Sequence, residues 1–390
     1  KISGRGIAVK RTEGLRKLLD AVAIVLTVTI IVVLIGALLR RAGLLSTEVD
    51  EGDRIAIISE WEGDPEVYLM DRHGGHLQRL TDDPGQDSYP TWSPDGRQLA
   101  YINLGDNDGD GEITLEDGTL LRVIDLESGE GRTLARFSGL AFALHWAPQG
   151  DRLLLGTVED TDGNGELEPG TDHGVLRAIS VGSSQAVILT SEAVPFYQIS
   201  WSPDAEQVAF ATGPQPFSLC TTSSHGGRPQ CLIEGVGQAV AWNPDGQRIT
   251  YARTSFMGTE LVTVPVETSA EATPEPTSLL DQPLPAYLIT SIFWAPQGDK
   301  VAYVAGGSQG PKDIFILDVA QGTVTELSTQ INGDVGGISP TWSPDGKYLA
   351  FSAQEADENS PSDIYVATVG GGVNRLRVGT GSSYLPAWRP

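Results

Sequence analysis

Two stretches of the chain carry oxygen-bearing side chains at the spacing that suits a hard cation. The first reads Asp106-Asn-Asp108-Gly-Asp110-Gly-Glu112-Ile-Thr114-Leu-Glu-Asp117. In a tight loop, oxygens at positions 1, 3, 5, 7, 9 and 12 converge on one ion, and Gly at position 6 makes the sharp turn that lets a main-chain carbonyl reach it. Asp106, Asp108, Asp110, Glu112, Thr114 and Asp117 fill those positions, and Ile113 anchors the loop on the core. The second stretch, Asp160-Thr-Asp162-Gly-Asn164-Gly-Glu166-Leu-Glu168-Pro-Gly-Thr171-Asp172, matches at its first three ligand positions and the glycine. Glu166 and Glu168 continue the pattern, while position 12 is Thr171, with Asp172 one residue late. The expected ion is Ca2+. The competing reading of each stretch is a solvated turn rich in Asp and Gly, but the same insertion made twice, with the apolar anchor kept, favours the cation.

Other chemistry-bearing motifs carry less. Gly306-Gly-Ser308-Gln-Gly310 has the spacing of a nucleophile elbow, yet a strand follows it and no His lies beyond His225. Ser224-His225-Gly-Gly reads as a hairpin turn, and His145 and His173 lack partners at zinc spacing. No catalytic constellation emerges.

The elements that must position the two loops are repeats. Trp92-Ser-Pro-Asp-Gly96, Trp146-Ala-Pro-Gln-Gly150, Trp201-Ser-Pro-Asp-Ala205, Trp242-Asn-Pro-Asp-Gly246, Trp294-Ala-Pro-Gln-Gly298 and Trp342-Ser-Pro-Asp-Gly346 are copies of one turn. Pro presets the first corner and Gly takes the positive φ that ends it. Each copy is followed by β-rich runs such as Leu99-Ala-Tyr101 and Val301-Ala-Tyr303, then by two more strands, as in Asp313–Val319 and Thr323–Leu327. Four strands at a period near 50 residues predict propeller blades, which bury their faces only by stacking around a ring. Each Trp is expected to pack between neighbouring sheets.

The run Tyr89-Pro-Thr-Trp-Ser-Pro-Asp-Gly-Arg-Gln-Leu-Ala-Tyr101, and its near copy from Ser339 to Phe351, resemble the repeats of TolB-type β-propellers, relatives of WD-repeat proteins. The resemblance covers nearly everything after residue 52 and implies fold rather than function, since that fold hosts scaffolds, receptors, lyases and parts of peptidases. The two acidic stretches resemble the calcium loops of EF-hand and dockerin proteins, with Asp117 in place of Glu at position 12 and strands in place of flanking helices.

The expected fold is all-β, a seven-bladed propeller over 53–390, with six blades as the alternative count. Seven follows from the ends: Pro386-Ala-Trp388 repeats Pro90-Thr-Trp92 and stops inside the motif, while Gly52-Asp-Arg-Ile-Ala56 supplies the missing half. The final segment is therefore expected to form the inner strand of the first blade. Trp-to-Trp intervals of 54, 55, 41, 52, 48 and 46 residues place the extra loops, the acidic stretches in the blades opening at Trp92 and Trp146 and a Pro/Thr/Glu-rich excursion at 267–278. Both calcium loops fall between second and third strands and so share one rim.

Residues 21–39 run without a charge, about 28 Å as a helix, long enough to span a bilayer. The expectation is a basic cytoplasmic stub (1–17), a single transmembrane helix (18–39) and a linker (40–52). The span ends in Leu-Leu-Arg-Arg rather than a small-residue cleavage site, which favours an anchor over a signal peptide. Six basic residues precede it, so the N-terminus is expected in the cytoplasm and the propeller in the periplasm or outside the cell. The formal charge of the chain is −25, and the first 45 residues are basic, leaving about −31 for the rest. A surface so acidic repels phosphate backbones and excludes nucleic acid as an expected partner. Cys220 and Cys231 flank a turn at a spacing that permits a disulfide, with two buried thiols as the alternative.

Together these features point to a non-enzymatic, membrane-anchored, calcium-stabilised protein-binding platform or subunit of an envelope complex. A polysaccharide lyase or hydrolase on a propeller is the alternative, and it would need His, Arg and Lys clustered on one face. The five His are scattered.

Overall fold

The computed structural model describes residues 53–106, 117–160, 172–190, 198–213, 216–255, 258–266, 275–284, 288–306, 312–327, 333–334, 340–355 and 360–390. The stub, the apolar span and the linker expected over 1–52 lie outside them. Among the described residues no helix is long and apolar enough to cross a membrane.

The described strands sort into seven antiparallel sheets. Blade 2 shows the plan: Gln86–Trp92, Gln98–Leu104, Thr119–Asp125 and Gly131–Phe137, in that order from inside to outside. Blades 3 to 6 repeat it, their inner strands ending at Trp146, Trp201, Trp242 and Trp294. Blade 7 has its inner edge in two short pieces, Gly333–Asp334 and Thr341–Trp342, both paired with Tyr348–Glu355. Blade 1 is split between the chain ends: Ser383–Trp388 pairs with Arg54–Ser59, followed by Glu66–Asp71 and Gln78–Arg79. The ring is closed by its own C-terminal segment, as the divided motif predicts, and seven is the blade count.

A blade cannot bury its two faces alone, so the core lies in the seams between blades. Each seam holds one apolar cluster, the closing seam included. There Ile57, Tyr68 and Trp388 of blade 1 meet Ala350, Ile364 and Val366 of blade 7. Small Ala at the second-strand position makes room for the neighbour's Trp. The indoles also hold the ring by hydrogen bonds across seams: Trp92 Nε1 donates to Ala387 O at 2.9 Å and Trp342 Nε1 to Phe293 O at 3.0 Å. The packing role expected of the Trp is therefore correct, with a directional component that composition does not show.

Five of the six turns are of two kinds, and the sixth, after Trp242, carries Asn243 in place of the serine. In Ser-Pro-Asp copies the serine hydroxyl donates to the aspartate two residues on, at 2.6 Å from Ser93 to Asp95 and 2.7 Å from Ser343 to Asp345. It also accepts the backbone N–H of Gln98 or Tyr348 at 2.9 Å, so the turn locks on itself. Ala-Pro-Gln copies lack that hydroxyl and reach outward instead. Gln149 Nε2 donates to Asp204 O at 2.6 Å and Gln297 Nε2 to Pro344 O at 3.0 Å, each on the next blade's turn. The closing residue is left-handed in both kinds, with Gly96 at φ 66° and, where the chain uses alanine, Ala205 at φ 58°.

The two cysteines pair. Cys220 and Cys231 face each other on adjacent strands of blade 4 and form a disulfide, which removes the free-thiol alternative.

Candidate functional site on the loop face

Because strands alternate in direction, each blade places its Trp-x-Pro turn and its third-to-fourth turn at one end. The second-to-third loops and the blade-to-blade connectors lie at the other end, and this loop face carries the chemistry. The first acidic insertion leaves the strand Gln98–Leu104 at Asp106 and returns at Asp117 before Thr119–Asp125. The second leaves Arg152–Glu159 at Asp160 and returns at Asp172 before His173–Ser180. Both occupy the expected position in adjacent blades.

Of the twelve residues expected to hold Ca2+, four are described. Asp106 is exposed and Asp160 half-buried, whereas the returning Asp117 and Asp172 are buried, at 1% and 5% exposure. Asp108, Asp110, Glu112, Thr114, Asp162, Asn164, Glu166 and Glu168 lie outside the described residues. Among the described residues no group of three or more His, Cys, Asp or Glu is set to hold a metal. The return of the first loop is tightly fixed: a Cβ on Gly118 (φ 68°) would come within 2.3 Å of Phe137 O, so only glycine fits there. Thr119 then donates its hydroxyl to Gly139 O, at the start of blade 3, at 2.7 Å.

The seam between blades 1 and 2 holds acids that the sequence does not single out. Asp87 and Glu66 are buried, at 2% and 3% exposure. Asp87 accepts a hydrogen bond from Asn103 Nδ2 at 2.9 Å, and its N–H donates to Pro65 O of the facing blade at 2.8 Å. Glu66 pairs with Arg79 at 2.7 Å, and Asp83 with Arg122 at 2.7 Å and the Tyr101 hydroxyl at 2.8 Å. Glu66 Oε2 and Asp87 Oδ2 have no hydrogen-bond partner among the described residues. Burial pushes the Asp87 carboxyl up to about 7 against the hydrogen bonds of Thr81 and Asn103, with the charges of Glu66 and Asp83 adding to the rise. Nothing in the run Gly-Gln-Asp87-Ser sets this acid apart from its neighbours; its burial is a consequence of ring packing.

At the inner end of the same face a cavity of about 450 Å³ opens between blades 7, 1 and 2. Glu60, Ser88, Tyr89, Ser352, Ser362 and Tyr384 are among its lining. Tyr384 bonds to the Glu60 carboxylate, and burial together with that charge pushes its hydroxyl up to about 12. Among the described residues the lining includes no Lys, Arg or His.

No family model matches the chain. Over 49 residues it is 47% identical to a TolB homolog of Chlorobium chlorochromatii, a match covering 13% of this chain and 11% of that one. It is 34% identical over 71 residues to the Tol-Pal system protein TolB of Alcanivorax borkumensis, covering 18% and 14%. The chain thus spans about a tenth of the length of these curated relatives. Among solved structures it superposes on TolB from Acinetobacter baumannii with a TM-score of 0.54 at 16% identity, over 88% of this chain and 68% of that one. An oligogalacturonate lyase from Vibrio parahaemolyticus gives 0.61 at 15% identity, over 82% and 87%. Likeness at such identity shows the fold, and the local matches show the repeat: the chain is a seven-bladed β-propeller with TolB-like repeats.

Proposed function

We propose that the protein is a non-enzymatic binding platform of the cell envelope, held to the membrane by residues 18–39, with the propeller outside the cytoplasm and its loop face turned to a protein partner. The observation that carries this reading is the concentration of acidic loops on one face of an otherwise regular ring. Asp106, Asp108, Asp110, Glu112, Thr114 and Asp117 would hold one Ca2+. Asp160, Asp162, Asn164, Glu166, Glu168 and Asp172 would hold a second. Each ion would neutralise an acidic loop and stiffen it for docking. The burial of Asp117 and Asp172 at equivalent returns supports that assignment. The local likeness to a Tol-Pal system protein supports an envelope setting. A lyase working on an acidic polysaccharide would need basic residues at the channel mouth, and the described cavity there includes none in its lining.

Photo-crosslinkers placed in cells at Asp83 on the loop face and at Gln149 on the turn face test this. The reading expects a discrete protein adduct from Asp83 that a calcium chelator abolishes, and none from Gln149. Adducts from the turn face alone, or none from either, overturn it.

A further inference from the structure

The outermost strand of each blade is an open sheet edge, and a ring of sheets must keep such edges from pairing with other chains. Among the described outer strands, charge or brevity does so in six blades. Gly131–Phe137 carries Arg132 and Arg136, Gln230–Val236 carries Glu234, Thr323–Glu326 carries Glu326, Val373–Leu376 carries Arg375 and Gln78–Arg79 carries Arg79, while Thr277–Ser278 is only two residues long. Blade 3 is the exception. Its outer strand, Ala186–Thr190, reads Ala-Val-Ile-Leu-Thr, and the chain carries no charge from Ser180 to Ser191.

This edge is apolar on both sides. Val187 and Ile188 are 40% and 56% exposed, and no described large apolar side chain is more exposed than Ile188. Being consecutive in a strand, they point to opposite faces. Ser180 N donates to Gln185 O at 2.8 Å, and backbone groups alternate along a strand, so Val187 turns its N–H and C=O inward to Ala178 while Ala186 and Ile188 turn theirs outward. No described strand pairs with that outer side. The straight part of the edge ends at Leu189, a bulge residue, since Ile188 pairs with Arg177 but Thr190 with Leu176.

Charge decides what covers this edge. The chain carries −25, so a basic partner is drawn to its acidic loops rather than to an uncharged rim strand. Two copies of so acidic a chain meet at least cost where the contact buries no charge. We propose that two copies pair through this strand, antiparallel about a two-fold axis at Val187, so that two blades join into one continuous sheet. In that register Ala186 of each copy lies opposite Ile188 of the other, and their outward groups form about four main-chain hydrogen bonds. Small Ala faces large Ile on one side of the sheet, and Val187 meets its own copy on the other. Each copy has one such edge, so association closes at two. The contact lies on the outer rim and does not depend on what the loop face binds.

Sedimentation equilibrium of the full chain in density-matched detergent tests the pairing. The wild type should dimerise reversibly. Val187→Lys and Val187→Glu each set like charges directly opposite one another across the axis, and each should weaken the dimer about tenfold or more. An equimolar mixture of the two variants should recover a heterodimer, because opposite charges then face each other. Val187 is exposed, so both variants should melt as the wild type does. A wild type that stays monomeric up to about 1 mM, a dimer that both variants leave intact, or a mixture no tighter than either variant alone overturns the proposal.

Discussion

The two faces of the ring are built from one repeat and behave as different materials. On the turn face the Trp-x-Pro connections are five residues of nearly fixed type, locked by Ser-to-Asp bonds within a turn or by Gln149 and Gln297 between turns, while the third-to-fourth connections vary in length, from 126–130 in blade 2 to 266–276 in blade 5. On the loop face connections range from short links to the insertions at 106–117 and 160–172, acids are buried, and the backbone is strained at Tyr89 and Leu385. At the Trp-x-Pro turns the serine and glutamine side chains are used within or between turns. The loop face carries orphaned carboxylate and hydroxyl oxygens at Glu66, Asp87 and Ser88. A repeat fixes the inner turn of each blade and frees the opposite loops to vary, and such loops are where function tends to sit.

Substitutions that serve the scaffold should lower stability alike in all conditions, and those on the loop face should change how stability depends on conditions. The largest effect is expected at ring closure. Trp388, 5% exposed, is stacked on Tyr348 and paired with Ile55, so Trp388→Ala should cost about 3–5 kcal/mol in urea unfolding, at every pH and calcium level. A loss within about 0.5 kcal/mol would mean the seam does not hold the ring.

Asp87 should show the opposite behaviour. Its folded pKa is raised to about 7 from an ordinary 3.8, so between those values the native state binds a proton that the unfolded state does not. Its contribution is complete below about pH 4 and is lost as pH rises toward 7, with a slope of at most about 1.4 kcal/mol per pH unit. Asp87→Asn keeps the shape and should flatten this part of the pH profile relative to wild type. An unchanged slope would place the titrating proton elsewhere.

The smallest effects separate the two kinds of turn. Ser93→Ala removes a hydroxyl that satisfies both Asp95 and the Gln98 N–H, and should cost about 1 kcal/mol. Gln149→Ala removes one exposed bond to the next blade and should cost about 0.5 kcal/mol or less. Equal losses would erase the distinction between a self-locked turn and a seam tie.

The contrast between faces also explains what was legible in the sequence. Trp, Pro, Asp and Gly at fixed offsets encode a turn locally, so blade number, closure by Trp388 and the cross-strand pairing of Cys220 with Cys231 could be read from spacing. Positions of the acidic insertions were legible for the same reason, being departures from a regular interval. The Glu66–Asp87 pair and the cavity around Ser88 were not, because each is assembled from blades whose proximity only the closed ring creates. Glu60 and Tyr384 lie at opposite ends of the domain, and no local pattern joins them.

The central claim is that the loop face is held in its working form by calcium. The direct measurement is thermal unfolding of the full chain during a calcium titration, in wild type and in the Asp106→Ala/Asp108→Ala/Asp110→Ala variant. With affinities of about 10⁻⁴–10⁻³ M, as in extracellular calcium modules, calcium at 100 times Kd should stabilise the wild type by about 2.7 kcal/mol per site coupled to folding. The variant should lose most of that shift while unfolding normally without calcium. A wild type whose melting temperature ignores calcium, or a variant that responds as the wild type does, would contradict the claim.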